Sequence, residues 1–318
     1  MKNIYSNIYK VNKSSIIKAI KYLKSNKIIG VPTETVYGLS GNAYSNSAIN
    51  KIYNLKKRPK KNPLIIHYFN LKDLSQDVYL NKVFFKLYKE FCPGPLTFIL
   101  NKKPDSKISK YATANLKTVA VRFPKNKVIR KLLKKINFPL AIPSANKSGG
   151  ISPVSPWDVA DEFKKQIKFI MNDGKSKIGL ESTVVDLTGN LRILRPGIIT
   201  LEQIKKIIKK NILLTKNPKK INSPGLIKKH YSPGIPILLN QKKQNKDYAF
   251  ICFGSNFKKN KHSFNLSFKS NLKEAAKNLY KTFRIIKKRK YKKIYVSKIP
   301  NKGIGIAIND RLKHASAK

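Results

Sequence analysis

Short hydrophobic runs separated by amphipathic stretches fill the first two thirds of the chain. Runs rich in β-branched and aromatic residues that stop at glycine, proline or polar clusters are typical of strands. The predicted strands are 28–32, 64–67, 96–100, 119–123, 140–144, 182–186 and 191–195. The last two runs flank Thr188-Gly189-Asn190, which suits a hairpin turn, so we expect these two strands to pair directly.

Two helix starts are marked by capping residues. Ser155 can cap a helix whose first residue is Pro156, a position that proline favours. Thr200 and Gln203 have the spacing of a capping box ahead of a run that mixes isoleucine and lysine. These signals predict helices that begin directly after Ser155 and Thr200.

The chain changes character between residues 211 and 236, where prolines and glycines are frequent and no helical or strand period is seen. The predicted elements beyond this stretch are strand 249–254, helix 272–286 and strand 293–298. We therefore predict an α/β protein with two domains and an ordered linker. The predicted boundaries are 1–210 for the first domain, 211–236 for the linker and 237–318 for a small α/β domain.

The chain is strongly basic, with 68 Lys and Arg against 15 Asp and Glu and a formal net charge of +53. Such a balance is typical of proteins that bind polyanions. Only 8 of these basic residues are arginines, and the abundance of Lys, Asn and Ile favours compositional drift of an AT-rich genome. Because drift replaces an arginine wherever any cation suffices, the remaining arginines indicate sites that need a planar guanidinium fork.

Several classes of site are excluded. Two cysteines, Cys92 and Cys252, cannot build a disulfide framework or a cysteine zinc site, and they favour a reducing, cytoplasmic location. The N-terminal residues contain no apolar run long enough for a signal peptide or a membrane span, so we expect no membrane association. The sequence contains no phosphate loop, no strand-linked G-x-G-x-x-G and no G-x-S-x-G elbow. A bound nucleotide would therefore have to be held by another kind of motif.

Polar residues interrupt the ends of several predicted strands. VPTETVYGL (31–39) and AIPSANKSGG (141–150) each follow a buried strand with hydroxyl, amide and glycine residues. Such loops can cradle phosphate or ribose, although ordinary turns have the same composition. Arg122 lies inside an apolar strand and needs an anionic partner, either a protein acid such as Glu34 or Glu181 or a bound carboxylate.

The basic run KIYNLKKRPKKNPL (51–64) allows two interpretations. It could contact nucleic acid, or it could form one wall of a pocket for a small anion. Composition alone does not decide between them, because the whole chain is rich in lysine.

Seven segments resemble, in order and spacing, the threonylcarbamoyl-AMP synthase family, whose catalytic domain is YrdC-like. They are PTETVYGL, KKRPKKNPLIIH, CPGPLTFIL, VAVRFP, PSANKSGG, GLESTVVD and ILRPG. SPGLIKKHYSP and GIGIAINDRLKHASAK are similar to the long form with a C-terminal Rossmann-like domain. The resemblance implies a twisted, open mixed sheet with flanking helices, a central basic cavity and a linker over the active site.

The resemblance also implies a reaction. L-threonine, bicarbonate and ATP would give threonylcarbamoyl-AMP and pyrophosphate, with Mg²⁺ accompanying ATP and held mainly by phosphate oxygens and water. A partner transferase complex would then move the threonylcarbamoyl group to the tRNA adenosine beside the anticodon. The alternative function is a module that binds double-stranded RNA or tRNA in the basic cavity. Arginines that lie singly at strand ends, and not among stacking aromatics, argue against that alternative.

Residue roles follow from the same resemblance, which interprets the basic run as a pocket wall. The catalytic set would be Lys56 and Arg58 with Ser144 and Asn146, whereas Lys57, Lys60 and Lys61 would be solvated. The predicted ATP-binding residues are Arg58, Asn62, Thr118, Ser144, Ser152, Arg195 and Tyr231. The predicted threonine-binding residues are Thr35, His67, Arg122 and Ser182. Weak tRNA binding by the basic surface is compatible with this function.

Overall fold

The computed structural model describes residues 5–210, 212–215, 230–244, 247–258 and 260–317. Within these residues the strands form a large mixed sheet and a small parallel one. The large sheet contains β1 (Ile8–Lys10), β2 (Ile29–Val31), β3 (Gly38–Asn42), β4 (Ile65–His67), β5 (Leu96–Asn101), β6 (Thr118–Arg122), β7 (Leu140–Ala141), β8 (Ile170–Asn172), β9 (Thr183–Asp186), β10 (Arg192–Arg195) and β11 (Leu213–Leu214). The small sheet contains β12 (Ile237–Leu238), β13 (Ala249–Cys252), β14 (Ser263–Asn265) and β15 (Ile294–Val296).

Most of the helices begin at an asparagine, serine or threonine whose side chain accepts a backbone amide of the first turn. The predicted capping box of Thr200 with Gln203 is confirmed, and so is the predicted cap at Ser155 with Pro156 at the first helical position, where the structure adds a capping box with Asp158. The helices are α1 (Lys13–Lys24), α2 (Asn46–Lys56), α3 (Leu71–Asp77), α4 (Lys82–Phe91), α5 (Lys127–Lys135), α6 (Pro156–Phe163), α7 (Leu201–Ile208), α8 (Leu272–Lys288) and α9 (Ile304–Ser316), and a 3₁₀ turn spans Lys164–Gln166.

The strand order of the large sheet is β1-β8-β2-β3-β7-β4-β6-β5-β9-β10-β11. All the predicted strands are confirmed, although 140–144 shortens to Leu140–Ala141. The predicted hairpin is also confirmed, because β9 and β10 are antiparallel with Asp186 opposite Arg192. Parallel and antiparallel pairs alternate near the centre: β4 is parallel to β6, and β5 is antiparallel to β6.

The two faces of the central strands belong to different apolar clusters, because successive side chains point to opposite sides of a sheet. Ile66, Val121 and Val185 belong to a core that includes residues of α4 and α7. The opposite face has a smaller apolar floor made of Ile65, Ile99, Ala120, Val184 and Leu194. His67 and Arg122 end β4 and β6 on this second face, two positions after Ile65 and Ala120.

The small sheet has the order β12-β15-β13-β14, is parallel throughout and packs with α8 and α9. Its core is shared with the first part of the chain, since Val36, Ile151 and Leu180 belong to the same apolar cluster. Gly179 allows α8 to approach, because a Cβ there would lie 2.7 Å from the Cα of Lys277. A mixed sheet with flanking helices and a second α/β unit confirms the predicted fold class.

The domain boundaries at 210 and 236 stay predictions. Most of the predicted linker, residues 211 and 216–229, lies outside the described residues. Over the part of the chain that the structure describes, no helix combines the length and apolar character that crossing a membrane requires.

Candidate active site

A cavity of about 50 Å³ lies over the apolar floor of the large sheet. The predicted site residues among its lining are Thr35, Arg58, His67, Arg122, Ser144, Ser182 and Arg195. The remaining described lining residues are Thr33, Val36, Tyr37, Gly38, Leu64, Ile65, Ile142, Pro143, Glu181 and His230. The fold therefore gathers side chains from six separate predicted motifs around one small space.

Strand pairing explains this convergence. Parallel pairing of β4 and β6 places His67 directly opposite Arg122. Antiparallel pairing of β5 with β6 places Thr97 on the other side of Arg122, and the Thr97 hydroxyl lies 2.8 Å from that of Ser182. Arg195 ends β10 and donates through Nε and Nη2 to the carbonyl and hydroxyl oxygens of Ser182, each at 3.1 Å.

Lys56 is the last residue of α2, and its side chain is almost completely buried. Its ammonium donates to the backbone carbonyls of Ser144 and Asn146. No carboxylate of the described residues lies within ion-pair distance of it. Burial, and then the neighbouring Arg58, lower the pKa of Lys56 well below its usual range. An anion bound at this place would stabilise the charged form.

Arg58 follows a left-handed residue, Lys57 (φ 49°), which ends α2 and redirects the chain. The guanidinium donates to Asn62 O at 2.9 Å, to Asn62 Oδ1 at 2.6 Å and to Pro63 O at 2.8 Å. Burial lowers the pKa of Arg58 to about 10. By contrast, the side chains of Lys57, Lys60 and Lys61 are exposed, so only Lys56 and Arg58 of the basic run face the interior.

Arg122 pairs with a protein acid. Its Nη2 donates to Glu34 Oε1 at 2.7 Å, its Nη1 donates to the Thr35 hydroxyl at 3.0 Å, and its Nε donates to Gly94 O at 3.2 Å. Burial alone would raise the pKa of Glu34, but Arg122 outweighs it and the pKa is lowered. Of the partners that the sequence left open for Arg122, the structure shows a protein acid, Glu34, and the binding of a carboxylate stays a prediction.

His67 is buried, and its Nδ1 lies 3.2 Å from the carbonyl oxygen of Ile65. Burial, and then the charge of Arg122, lower the pKa of His67 well below its usual value. The imidazole is consequently neutral at physiological pH, and it adds no second positive charge beside Arg122.

Glu181 is a site residue that the sequence argument did not assign. Its carboxylate accepts from Ser152 Oγ at 2.5 Å, from the Tyr280 hydroxyl at 2.8 Å and from Arg311 Nε at 2.9 Å. Burial alone would raise its pKa, but Arg311 and Arg195 outweigh burial and lower the pKa of Glu181 to about 2. Arg311 belongs to α9, so this ion pair joins the first domain to the second.

His230 lines the cavity and Tyr231 does not, although the prediction named Tyr231. The Tyr231 ring stacks on Tyr280 at 5.9 Å, and the guanidinium of Arg311 lies 4.9 Å from its centre. Backbone hydrogen bonds flank Tyr231 in the sequence: His230 N donates to His314 O at 3.2 Å, and Ser232 N donates to Gly149 O at 2.8 Å. His230 adjoins the predicted residue, and that adjacency was the only sequence signal for it.

The other predicted residues lie outside the cavity lining. Lys56, Asn62, Asn146 and Ser152 are buried behind it, each bonded to another site residue or to its backbone. Thr118 lies four residues before Arg122 on the same face of β6, which corresponds to about 13 Å along the strand. A ligand that reached both residues would have to extend along the sheet.

Similarity to known proteins agrees with this arrangement. A family model described as "Telomere recombination" matches residues 21–197, and one described as "Threonylcarbamoyl-AMP synthase, C-terminal domain" matches residues 199–317. A threonylcarbamoyl-AMP synthase of Bacillus subtilis is 35% identical, with 96% of this chain and 94% of the relative covered.

Another threonylcarbamoyl-AMP synthase, from Pyrococcus abyssi, is 33% identical, with 94% of this chain and 93% of the relative covered. The solved structure of P. abyssi Sua5 complexed with L-threonine superposes with a TM-score of 0.89 at 32% identity, covering 97% of each chain. On these grounds the chain belongs to the threonylcarbamoyl-AMP synthase family, in the long form that carries a second domain.

Proposed function

We propose that this chain is a threonylcarbamoyl-AMP synthase, which joins L-threonine, bicarbonate and ATP and releases pyrophosphate. One observation carries the proposal: Arg58, Arg122 and Arg195 meet with neutral His67 in a single cavity. The chain that builds this cavity is 33–35% identical, over nearly its full length, to proteins of that name.

The proposed roles divide the cavity into two ends. At one end Arg122 binds the carboxylate of L-threonine, with Thr35, His67 and Ser182 around the rest of the amino acid. A neutral His67 suits this place, because a charged imidazole would repel the substrate's ammonium group. At the other end Arg58 faces the phosphates, and Lys56, held behind the cavity lining by the carbonyls of Ser144 and Asn146, adds its charge.

The proposed chemistry needs no protein nucleophile. The neutral amino group of threonine first bonds to the carbon of bicarbonate, and water leaves to give a carbamate. An oxygen of this carbamate then bonds to the α-phosphorus of ATP. The bond from that phosphorus to the bridging oxygen breaks, and pyrophosphate leaves with the electron pair. Lys56 and Arg58 stabilise the charge that develops on pyrophosphate, while positioning supplies the rest of the rate enhancement.

ATP cannot enter the cavity as the structure shows it. About 50 Å³ is far below the roughly 300–1,000 Å³ of typical ligand sites. His230 is the lining residue that comes from the predicted linker, so we propose that its segment withdraws to admit the nucleotide and then closes over it. The predicted ATP contacts of Asn62, Thr118, Ser152, Arg195 and Tyr231 belong to this proposal.

Mg²⁺ is proposed to enter with ATP. Glu181 is the one acid among the described lining residues, and both of its oxygens already accept hydrogen bonds. The described residues also contain no cluster of three or more potential metal ligands. This donor set fits a metal held by phosphate oxygens and water, whose charge would add to that of Lys56 and Arg58.

The product defines the next step. A mixed anhydride of a carbamate and a phosphate transfers its carbamoyl group readily, so we propose that a tRNA threonylcarbamoyl transferase complex consumes it, in the cytoplasm. Weak tRNA binding by exposed lysines stays a prediction of the composition. The alternative, a double-stranded RNA or tRNA-binding module, is less well supported, because Arg58, Arg122 and Arg195 are buried and do not form an exposed surface for a nucleic acid.

The proposed function is tested by pyrophosphate release from the purified full-length chain. We expect release with ATP, Mg²⁺, L-threonine and bicarbonate together, and only background release when threonine or bicarbonate is left out. Pyrophosphate that forms at the same rate without threonine would contradict the proposal.

A further inference from the structure

The guanidinium of Arg122 has donors left over for a ligand. An arginine carries five N–H groups. Three of them are used, by Gly94, Thr35 and Glu34, which leaves one on Nη1 and one on Nη2 without an acceptor among the described residues. Arg122 lines the cavity, so these two N–H groups suit a carboxylate that binds with both oxygens.

Glu34 determines where this fork points. It is 7% exposed and is absent from the described lining of the cavity, and it instead lines a separate space beside Asn126. Its Oε1 holds Arg122 Nη2 at 2.7 Å, and its Oε2 accepts from the backbone N of Asn126 at 3.3 Å. Asn126 caps α5, so the carboxylate bridges Arg122 and the start of a helix, where the helix dipole favours a negative charge.

A free arginine side chain samples many rotamers, and ordering it during binding lowers affinity. A short ion pair with Glu34 orders the arginine before the substrate binds and so removes this loss of affinity. For this, the carboxylate must reach Arg122 from its position beside Asn126 N. We propose that Glu34 is a positioning residue: it holds Arg122 so that the free N–H groups meet the carboxylate of the amino-acid substrate, which Glu34 itself does not contact. The identification of that substrate as L-threonine rests on the proposed function.

Two variants distinguish positioning from mere neutralisation of a buried charge. Glu34→Asp keeps the charge but shortens the side chain by about 1.5 Å, so it cannot reach the guanidinium of Arg122. Glu34→Gln loses the charge and the acceptor for Asn126 N, since its NH₂ group only donates, but it keeps the length and the acceptor for Arg122. If threonine affinity depends on a side chain at position 34 that is long enough to hold Arg122, Glu34→Asp weakens L-threonine binding by about tenfold. Glu34→Gln then binds L-threonine within about threefold of wild type.

Isothermal titration with L-threonine, with ATP and with L-threoninol, which lacks the carboxylate, measures these effects. ATP and threoninol affinities should be equal, within about twofold, in Glu34→Asp and wild type. Steady-state kinetics of Glu34→Asp should show a raised KM for threonine with little change in kcat. The matched control is Asp186→Asn, which breaks the ion pair of a buried acid with Arg192 away from the cavity. It should change stability but none of the affinities.

The inference is overturned if the order of the two variants is reversed, or if Glu34→Asp weakens ATP and threonine binding equally. It is also overturned if threonine affinity is unchanged in Glu34→Asp. Wild-type protein that binds no L-threonine at all would overturn the proposed function together with this inference. Failure of this inference alone therefore gives a different result from failure of the proposed function.

Discussion

Four of the eight arginines, Arg58, Arg122, Arg195 and Arg311, are buried at the cavity or at the domain contact beside it. Each donates through at least two nitrogens to acceptors in fixed positions. A lysine ammonium is a point charge on a flexible chain and cannot reproduce this geometry. In a chain where lysine is the common cation, these arginines are therefore kept for their shape.

Replacing Arg58 by lysine tests this at the predicted pocket wall. Arg58→Lys keeps a positive charge but loses the fork that holds Asn62 and Pro63 and that we propose to bind the phosphates. We expect kcat/KM to fall by an amount equivalent to about 1–3 kcal/mol of transition-state stabilisation. Steady-state pyrophosphate release measures it.

Lys60→Arg is the matched control, because it makes the reverse exchange at an exposed position of the same run. Its turnover should equal that of wild type. Unchanged activity in Arg58→Lys would mean that Arg58 supplies only generic charge, and its assignment to the phosphates would fail.

Individual site residues could be predicted where they interrupted a regular pattern or belonged to a motif. Arg122 stands out because it interrupts an apolar strand, and Lys56 and Arg58 stand out through their motif. Glu181 and His230 could not be found in this way. Each depends on partners far away in the chain, such as Arg311 and His314, which only the fold brings close.

Among the elements, the end of the predicted linker has the most direct effect on the cavity. His230 and Tyr231 are both buried, and Tyr231 adopts a left-handed backbone conformation (φ 62°) that costs free energy for a non-glycine residue. The Tyr231 hydroxyl and Nδ1 of His230 are buried without a hydrogen-bond partner among the described residues. These costs lower the free energy that the proposed opening of this segment would require.

This element should respond to pH. Burial, and then the charges of Arg58, Lys56 and Arg195, outweigh Glu181 and lower the pKa of His230 from 6.5 to about 3. Neutral His230 therefore makes its full contribution to the closed form above pH 6.5. This contribution is lost as pH falls below 6.5, because His230 takes up a proton more readily in the open form than in the closed one. Opening should increase by about tenfold between pH 7.5 and 5.5.

Limited proteolysis measures the opening. The predicted cleavage site near Lys228-Lys229 lies outside the described residues, and its cleavage rate is normalised to that of the denatured chain at each pH. His230→Gln should flatten the pH dependence of the cleavage rate. The control His262→Gln, directly before β14 in the small domain, should leave that dependence unchanged. A wild-type rate that is independent of pH between 7.5 and 5.5 would refute the role of His230 in closure.

Elements were predictable to different extents. Strands made of β-branched runs, such as 96–100 and 119–123, were found because they are buried on both faces of the sheet. β3 was missed because GLSGN contains two glycines and no alternation, and its strand conformation comes from pairing with β2 and β7. β1 and β8 were missed because each is three residues long and is defined by its pairing with a distant segment.

At the scale of the whole molecule, the two domains share one core and one ion-pair network. The apolar cluster of the second domain includes residues of the first, and Arg311 of α9 reaches Glu181, the Pro196 carbonyl and the face of Tyr231. The second domain therefore supports the wall of the cavity that His230 completes. The sequence predicted two domains, but it could not predict that their contact helps to build the site.

The net charge of +53 has a smaller role than its size indicates. Of the basic run that includes the pocket wall, Lys57, Lys60 and Lys61 are exposed, and only Lys56 and Arg58 are buried beside the cavity. Screening by salt acts mainly on exposed charges, so a surface contribution to any tRNA binding would weaken steeply with salt.

The central claim, that this chain makes threonylcarbamoyl-AMP, is tested most directly by identifying the product. Purified full-length protein is incubated with ATP, Mg²⁺, L-threonine and ¹³C-labelled bicarbonate, and the adenylates are analysed at once by mass spectrometry. We predict an adenylate that contains threonine and one heavy carbon, formed together with pyrophosphate and absent when threonine is omitted. ATP consumption that yields only AMP or ADP, with no heavy carbon in any adenylate, would contradict it.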